Sequence, residues 1–275
     1  MTVASWWGTV TAISSIHHGG QTRGTVTTLR REVIVQPDGS GVEVPVVSGN
    51  TFRGRLRRIG EELLRETLRY EGRVPAAVAH VLRGGGSLTK TGREPLSGSR
   101  LAVLRELVPQ LAIFGGAGGG SIIDGALVVH KVIPHVIETN HVTGAASRRS
   151  VSALTQLESY ARQDDRGSRG FDEIGAGEDG VGGQQMRFEL ETFPAGTVFS
   201  TGVQLRGPSA LELSFFHDVL AEFAARGHLG GRVGVGHGRV RVDLVCNRDL
   251  AELVDWRHTV GARRDEAIEA LEDLG

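Results

Sequence analysis

The feature that most constrains the fold is a long amphipathic pattern that follows a capping segment. Residues 48–51, Ser-Gly-Asn-Thr, are of types favoured at a helix N-terminus. Apolar side chains then recur at spacings of four, three and four residues, at Phe52, Leu56, Ile59 and Leu63. This spacing is typical of a helix that buries one face. The pattern therefore predicts a helix that runs from this segment to about Tyr70.

Strand patterns surround this helix and a second one. Residues 6–16 alternate small polar and apolar side chains, and residues 126–137 are apolar and β-branched. Residues 186–205 predict two strands, Ser209 caps a second helix, and residues 239–245 predict a last strand. The order strand, helix, strand, strand, helix, strand indicates an α+β chain of the ferredoxin-like, or RRM-like, fold. Two helices would cover one face of its four-stranded sheet and leave the other face free to bind, as in RNA-recognition modules.

Composition argues against a membrane protein. The chain has 275 residues, of which 39% are hydrophobic and 23% charged, as in a globular protein. No apolar run reaches the roughly 20 residues that a membrane-spanning helix needs. The N-terminus lacks the basic start and apolar stretch of a secretory signal, and Cys246 is the only cysteine. We therefore expect a cytoplasmic protein without a membrane partner.

Arginines cluster at the start of the predicted helix, within residues 48–58. A helix N-terminus presents unpaired N–H groups and partial positive charge, and Gly49 would let a phosphate approach the backbone. Arg53 and Arg57 lie one turn apart on one face. This arrangement is typical of a phosphate site, although the net charge of the chain is −1. The alternative is a solvated face on which the arginines pair with the glutamates of residues 61–66.

Two glycine runs, residues 115–120 and 234–238, lack the signatures of nucleotide binding. No Lys-Ser or Lys-Thr pair follows the first run, as a P-loop requires. The second run precedes a strand, where a dinucleotide site requires a helix. We therefore predict no cofactor. The glycines would instead let RNA backbone or a neighbouring subunit come close, with Gly118 and Gly119 as candidate contacts, or they serve only as turns.

The histidines raise the question of metal binding or acid–base catalysis. His130 and His135 would lie on opposite faces of the predicted strand 126–137, because their separation is odd. No cysteine or paired-carboxylate motif completes a metal site, so we predict no metal. His17 and His18, at the end of the first strand, are expected to contact RNA or to lie exposed. A general base would need a positioned partner, which the sequence does not identify.

Several of these segments together resemble one protein family. Segments 48–57 and 234–240, the latter with the pattern Gly-x-Gly-x-Gly-Arg-Val, resemble the RAMP superfamily of CRISPR-associated proteins. Three further segments, 114–116, 138–146 and 191–199, resemble the repeated backbone subunit of CRISPR effector complexes. Among these complexes, the resemblance favours type IV systems. The resemblance spans residues 6 to about 245.

The resemblance implies a domain organisation and a set of partners. A RAMP palm would occupy residues 1–248, with a helical insertion at about 74–113 and an inserted thumb hairpin at about 138–186. A helical tail, residues 249–275, would follow. Several copies of the chain would stack helically along one CRISPR guide RNA, which pairs with the target nucleic acid. Other effector subunits would complete the ribonucleoprotein.

The resemblance also implies RNA-binding residues. It places these against the guide backbone, with His17 and His18 nearby: Gly49, Asn50, Arg53, Arg55 and Arg57. Many relatives have Ile-Asp-Arg before a Thr-x-Ala motif, where residues 140–142 of this chain are Asn-His-Val. Arg148 or Arg149 is our candidate to replace the missing arginine.

Catalysis is not expected. Some relatives in type III complexes cut target RNA with an aspartate in a loop after the first strand. Residues 17–25 of this chain contain no carboxylate, and Asp38 is the nearest in sequence. One alternative is an endoribonuclease of the same superfamily that uses His17 or His18 as general acid or base. Another is a metabolic or interaction protein of ferredoxin-like fold whose arginine cluster is only surface.

Overall fold

The chain folds into a mixed α+β structure, which confirms the predicted class. The computed structural model describes residues 2–87, 96–118, 120–162, 186–272 and 274. In these residues the strands are β1 Val3–Ala12, β2 Gly19–Arg23, β3 Val26–Leu29, β4 Arg31–Val35, β5 Gly41–Pro45, β6 Gly116–Gly118, β7 Ser121–Ile123, β8 Leu127–Val129, β9 Ile133–Pro134, β10 Gln156–Arg162, β11 Met186–Thr192, β12 Val198–Arg206 and β13 Val240–Cys246. The α-helices are α1 Gly49–Leu68, α2 Ala76–Gly84, α3 Gly98–Leu107, α4 Pro109–Phe114, α5 Asn140–Thr143, α6 Ala210–Arg226, α7 Trp256–Ala262 and α8 Arg264–Glu272.

The central sheet has the antiparallel order β13-β1-β12-β8, and β9 also pairs with β12. Side chains alternate along β1, so that Ala4, Trp6 and Val10 are buried on one face. Helix α6 packs against this face, where the Trp6 and Phe216 rings lie 5.2 Å apart. Helix α1 lies against α6. The opposite face of the sheet carries the half-exposed Trp7 and is not covered by either helix.

Helix α1 begins where the sequence predicts it. The Ser48 hydroxyl accepts a hydrogen bond from the Thr51 N–H at 3.2 Å, which satisfies one of the free donors of the first turn. The helix ends at Leu68 because Arg69 takes a left-handed conformation with φ of 51°. Among the described residues, no helix has the length and apolarity to cross a bilayer.

The predicted strand 126–137 is interrupted, which corrects one expectation. Val132 leaves β12 and exchanges two backbone hydrogen bonds with Val47, at 3.0 and 3.1 Å. The chain therefore pairs with β12 as two pieces, β8 and β9, and the alternation of faces does not carry across the break. As a result, His130 and His135 line the same pocket on the uncovered face of the sheet. The prediction of opposite faces is wrong for this reason.

A second sheet, in the order β10-β11-β3-β2, joins the segment of the predicted thumb to the region after β1. Strands β10 and β11 pair antiparallel around residues 163–185, which lie outside the described residues. Strands β4 and β5 form a separate hairpin whose Gln36 donates to the Glu138 carbonyl at 3.1 Å. The predicted insertion at 74–113 contains α2, α3 and most of α4. The domain limits stay predictions.

The C-terminal helices pack on the chain itself. The sequence has apolar residues in this tail at Leu250, Leu253, Val254 and Trp256, and their pattern predicts packing on a neighbouring subunit. In the structure, however, Trp256 is 2% exposed and its ring lies 4.8 Å from that of Phe215. The Trp256 indole N–H donates to an Asp218 carboxylate oxygen at 2.9 Å. Leu274 is buried against Gly118. For Trp256 that expectation is corrected, because α6 already buries the ring.

Candidate nucleic-acid interface

The N-terminus of α1 is the centre of the candidate interface. Its first turn contains no acidic side chain, and Asn50 is exposed. Within the described part of the chain, the N–H groups of Gly49 and Asn50 have no acceptor, as expected for the first turn of a helix. These donors and the helix dipole together favour an anion such as a phosphate.

Gly49 is required by the packing of α1 on the sheet. A Cβ atom at this position would lie 2.9 Å from the Val129 carbonyl oxygen and 3.4 Å from that of His130. Any side chain would therefore push α1 away from β8. The sequence predicted that a phosphate would approach Gly49, and the structure shows that the chain's own backbone does so.

His18 lies beside this helix terminus. Its Nδ1 atom is 3.4 Å from the Thr51 hydroxyl, and its covered Nε2 atom has no partner among the described residues. Burial, followed by the charges of Arg30 and His17, lowers the pKa of His18, so the imidazole is uncharged at neutral pH. The exposed Arg30 is hydrogen-bonded through its backbone N–H to the His18 carbonyl. No local pattern in the sequence indicates this position of Arg30, because a hairpin returns the chain to His18.

His17 has a role inside the fold. It is buried, and its Nδ1 atom lies 2.9 Å from the Glu191 carbonyl oxygen, so the ring joins the segment between β1 and β2 to β11. Burial is the main cause of its lowered pKa. In this structure the imidazole does not reach the surface, where a substrate would bind. RNA contact by His17 stays a prediction.

Arg53 and Arg57 share one face of α1, as predicted, but they point into the protein. Arg57 is 8% exposed, and its guanidinium donates to the carbonyls of Phe114 and, at 2.9 Å, of Gly115. Arg53 donates to the Phe114 carbonyl at 3.0 Å and also to that of Leu127. Together they fix the loop after α4 against α1. These contacts fit neither of the two predictions for the arginines, a phosphate site or a solvated face on which they pair with glutamates.

The remaining predicted arginines differ in exposure. Arg55 is half-buried, and burial followed by the charge of Arg226 lowers its pKa. Arg148 is exposed. Arg149 donates twice to the Ala153 carbonyl, at 2.9 and 2.6 Å, and closes the turn before β10. Among the described residues, neither Arg148 nor Arg149 makes a hydrogen bond or ion pair with α1.

The predicted glycine contacts are only partly described. A Cβ atom on Gly118 would lie 3.1 Å from the Leu274 carbonyl oxygen, so this buried glycine receives the C-terminal segment. Gly119 lies outside the described residues. An approach of RNA to Gly118 or Gly119 stays a prediction.

Asp38 serves the turn between β4 and β5. Its carboxylate accepts hydrogen bonds from the Ser40 N–H at 2.9 Å and from the Ser40 hydroxyl at 2.7 Å. These bonds lower the pKa of Asp38. An aspartate that bonds its own backbone two residues on is typical of turns. Within the described residues, no group of three or more His, Cys, Asp and Glu side chains could hold a metal ion.

One polar cluster was not recognised in the sequence. The His237 Nδ1 atom lies 3.0 Å from the Ser15 hydroxyl and 4.0 Å from a Glu158 carboxylate oxygen. The three residues are far apart in the chain and meet where the 234–238 glycine run passes β10. An imidazole beside a hydroxyl and a carboxylate can move a proton, which gives this cluster acid–base capacity.

Comparisons with known proteins agree with this architecture. The family model of the RAMP superfamily matches residues 9–241. Among solved structures, a chain of a type IV-B CRISPR complex is similar, with 32% sequence identity and a TM-score of 0.66. The match covers 93% of this chain and 96% of that chain. A search of curated proteins found no match. Since the family match extends over most of its length, the chain belongs to the RAMP superfamily.

Proposed function

We propose that this chain is a non-catalytic, guide-RNA-binding backbone subunit of a CRISPR effector complex, repeated helically along the guide. One observation carries the proposal: near end-to-end similarity, at 32% identity, to a chain of a type IV-B CRISPR complex. Other effector subunits and further copies of this chain would be its protein partners. The target nucleic acid would join through base pairing with the guide, and the particle would be cytoplasmic.

The fold supports this proposal through its central sheet. We interpret β13-β1-β12-β8 with α1 and α6 as a ferredoxin-like palm, because a strand-helix-strand-strand-helix-strand order runs through these elements. We interpret the β10 and β11 pair as the base of the thumb. The helices α2 to α4 then form the helical insertion of the palm.

The RNA-binding surface that we propose centres on the N-terminus of α1. Gly49 and Asn50 would donate backbone N–H groups to a phosphate, and His18 and the exposed Arg30 would line the approach. Arg53 and Arg57 would support this surface from below by fixing the loop after α4. Such binding depends on phosphates and not on base sequence, so the affinity should fall steeply with salt.

A charge placed on this helix terminus tests the proposal. Asn50→Glu puts a carboxylate in the first turn of α1, where the helix dipole stabilises it and the fold should not suffer. The same carboxylate would repel a phosphate and lower the affinity for single-stranded RNA about tenfold. Ala210→Glu is the matched control, because it adds the same charge to the exposed first turn of α6.

Filter binding with labelled RNA at two salt concentrations distinguishes the outcomes. The proposal predicts weaker binding by Asn50→Glu alone and a strong loss of wild-type affinity at the higher salt. Equal RNA affinities of wild type and Asn50→Glu would show that the RNA does not bind at the N-terminus of α1. Undetectable binding by all three proteins would contradict the proposed function and favour the alternative of a metabolic or interaction protein.

A second candidate function is RNA cleavage, which the cluster of Ser15, Glu158 and His237 favours. His237 would then act as the acid or base, since His17 is buried. Cleavage of repeat RNA by the isolated protein, lost in His237→Ala and retained in His18→Ala, would support this function. Intact RNA after prolonged incubation with the wild type would support the non-catalytic subunit.

A further inference from the structure

The uncovered face of the central sheet carries an aromatic platform. Trp7 pairs across β1 and β12 with Gly202, and its indole ring lies directly over that glycine. A Cβ atom on Gly202 would fall 2.3 Å from Cε3 of the indole. Gly202 does not have a positive φ, so the ring and not the backbone conformation excludes a side chain here. Glycine at position 202 thus leaves the space that the indole of Trp7 occupies.

The platform continues onto His130. The ring centroids of Trp7 and His130 are 4.4 Å apart, and the His130 N–H is bonded to the Gly202 carbonyl at 2.9 Å. Trp7 is nevertheless 46% exposed, so part of the indole is open to solvent. An exposed aromatic ring that is fixed from below is the arrangement on which nucleobases stack.

A pocket of about 790 Å³ lies over this platform. One wall is the segment 142–145, which includes the end of α5 and carries the exposed Val142. Another side has the pair of His135 Nε2 and the Ser200 hydroxyl, 2.7 Å apart, which can exchange hydrogen bonds with the edge of a base. Burial lowers the pKa of His135, so its ring is uncharged at neutral pH. A stacking surface with polar groups at its edge suits a base better than an aliphatic side chain.

The pocket is continuous with the helix terminus described above. Val129 and His130 line it, and the carbonyls of these residues are the atoms against which Gly49 packs. The proposed phosphate donors of α1 and the pocket are therefore attached to the same two-residue segment at the edge of the sheet. One nucleotide segment could reach both places.

We propose that this pocket receives an unpaired nucleobase of the bound RNA, stacked on Trp7. The proposal rests on the proposed function, since it assigns a base site to the RNA that α1 holds by its phosphates. The base would lie between the indole and the segment 142–145. Stacking tolerates any base, so the pocket would add affinity without reading sequence.

Tryptophan fluorescence of the full chain tests the pocket directly. The chain has three tryptophans, and Trp6 and Trp256 are 4% and 2% exposed, so a soluble quencher such as acrylamide reports mainly on Trp7. Binding of single-stranded oligouridine should lower the emission and protect it from acrylamide. Trp7→Phe should abolish this change in emission but retain the RNA affinity, because the phenyl ring still stacks on the base.

Affinities measured by filter binding complete the experiment. Trp7→Ala should bind the RNA roughly tenfold more weakly, whereas Val245→Ala, an exposed cross-strand neighbour outside the pocket, should match wild type. If the RNA binds without a change in emission, or if Trp7→Ala binds RNA as tightly as wild type, the proposed base site is overturned. The proposed function is then left intact. A loss of self-assembly without a loss of RNA affinity in Trp7→Ala would assign the pocket to a second copy and overturn the proposal. No RNA binding by wild type would overturn both proposals.

Discussion

Arg57 shows how a charged side chain can stabilise the fold from within. Its guanidinium donates to two successive carbonyls, Phe114 and Gly115, at the point where α4 ends. Burial lowers the pKa of Arg57 to about 10, which leaves it charged at neutral pH. Because these carbonyls are covered, they need the donors that Arg57 supplies.

Arg57→Ala should therefore destabilise the protein. We expect the free energy of unfolding to fall by about 2–3 kcal/mol, because buried carbonyls lose charged donors. Arg58→Ala, the exposed neighbour on α1, is the matched control and should change stability by less than about 0.5 kcal/mol. Urea unfolding measures both. Equal effects of the two variants would show that Arg57 is not a structural residue.

Glu191 makes the stability of the folded protein depend on pH in the acid range. It is buried, and although burial raises its pKa, hydrogen bonds from Arg31, the Leu29 N–H and Thr155 lower that pKa overall. The Leu29 N–H lies 2.8 Å from the carboxylate. The stabilisation is complete above the pKa of an unfolded glutamate, about 4.3, and is lost as the pH falls through the lower pKa of the folded state.

Glu191→Gln should consequently be less stable than wild type at neutral pH and lose less stability on acidification. The exposed Glu43→Gln should follow the wild-type curve. Unfolding free energies measured from pH 7 to the acid limit of folding check this. Parallel curves for wild type and Glu191→Gln would contradict the assigned role of the carboxylate.

Single residues were the hardest part to predict. The sequence identified the α1 N-terminus, because capping residues are a local signal, whereas only the family resemblance put His18 near the guide RNA. It misassigned the contacts of Arg57, whose stripe on the helix also includes Gly60 and Leu64, both buried. That stripe was a signal that the side chain points inward. The contact of Arg30 depends on the β2–β3 hairpin and those of His237 on distant segments, so no short sequence pattern contains them.

At the scale of elements, α1 is held by close packing along one side and is open along another. Gly60 is buried, and a Cβ atom there would lie 2.4 Å from a Gln110 side-chain oxygen and 3.3 Å from the Phe114 and Phe215 rings. A Cβ atom on Gly54 would meet nothing within 4 Å. Both glycines sit in the same helix, so the intrinsic helix propensity is the same.

Alanine at these two positions should have opposite effects. Gly54→Ala should stabilise the protein by about 0.5–1 kcal/mol, because alanine loses less entropy in a helix. Gly60→Ala should destabilise it by about 1–3 kcal/mol through overpacking. Thermal melting of both variants measures the shifts. A melting temperature that changes in the same direction for both would contradict this account of α1.

Periodicity predicted the main elements well, since α1, α6, β1 and β13 each follow a local pattern. It failed for residues 126–137, where β8 and β9 separate because Val132 pairs with Val47. That pairing is set by the path of the chain before α1. A short stretch of sequence cannot show a pairing between such distant residues. For the same reason, the second sheet was not predicted.

At the scale of the whole molecule, function does not follow from net charge. The chain carries a formal charge of −1, yet its candidate RNA surface is a helix N-terminus without acidic residues. Several arginines are instead paired within the fold, as in the contacts of Arg226 with Glu62 and Glu222. Backbone donors and a few exposed cations can bind RNA in an otherwise neutral protein.

The most direct test is purification of the chain from cells that express a CRISPR guide RNA, with particle mass and RNA length measured together. The account predicts a particle with several copies of the chain and nuclease-protected guide RNA, both reduced in Asn50→Glu and retained in Ala210→Glu. A monomer free of RNA, with the same mass for wild type and both variants, would contradict it.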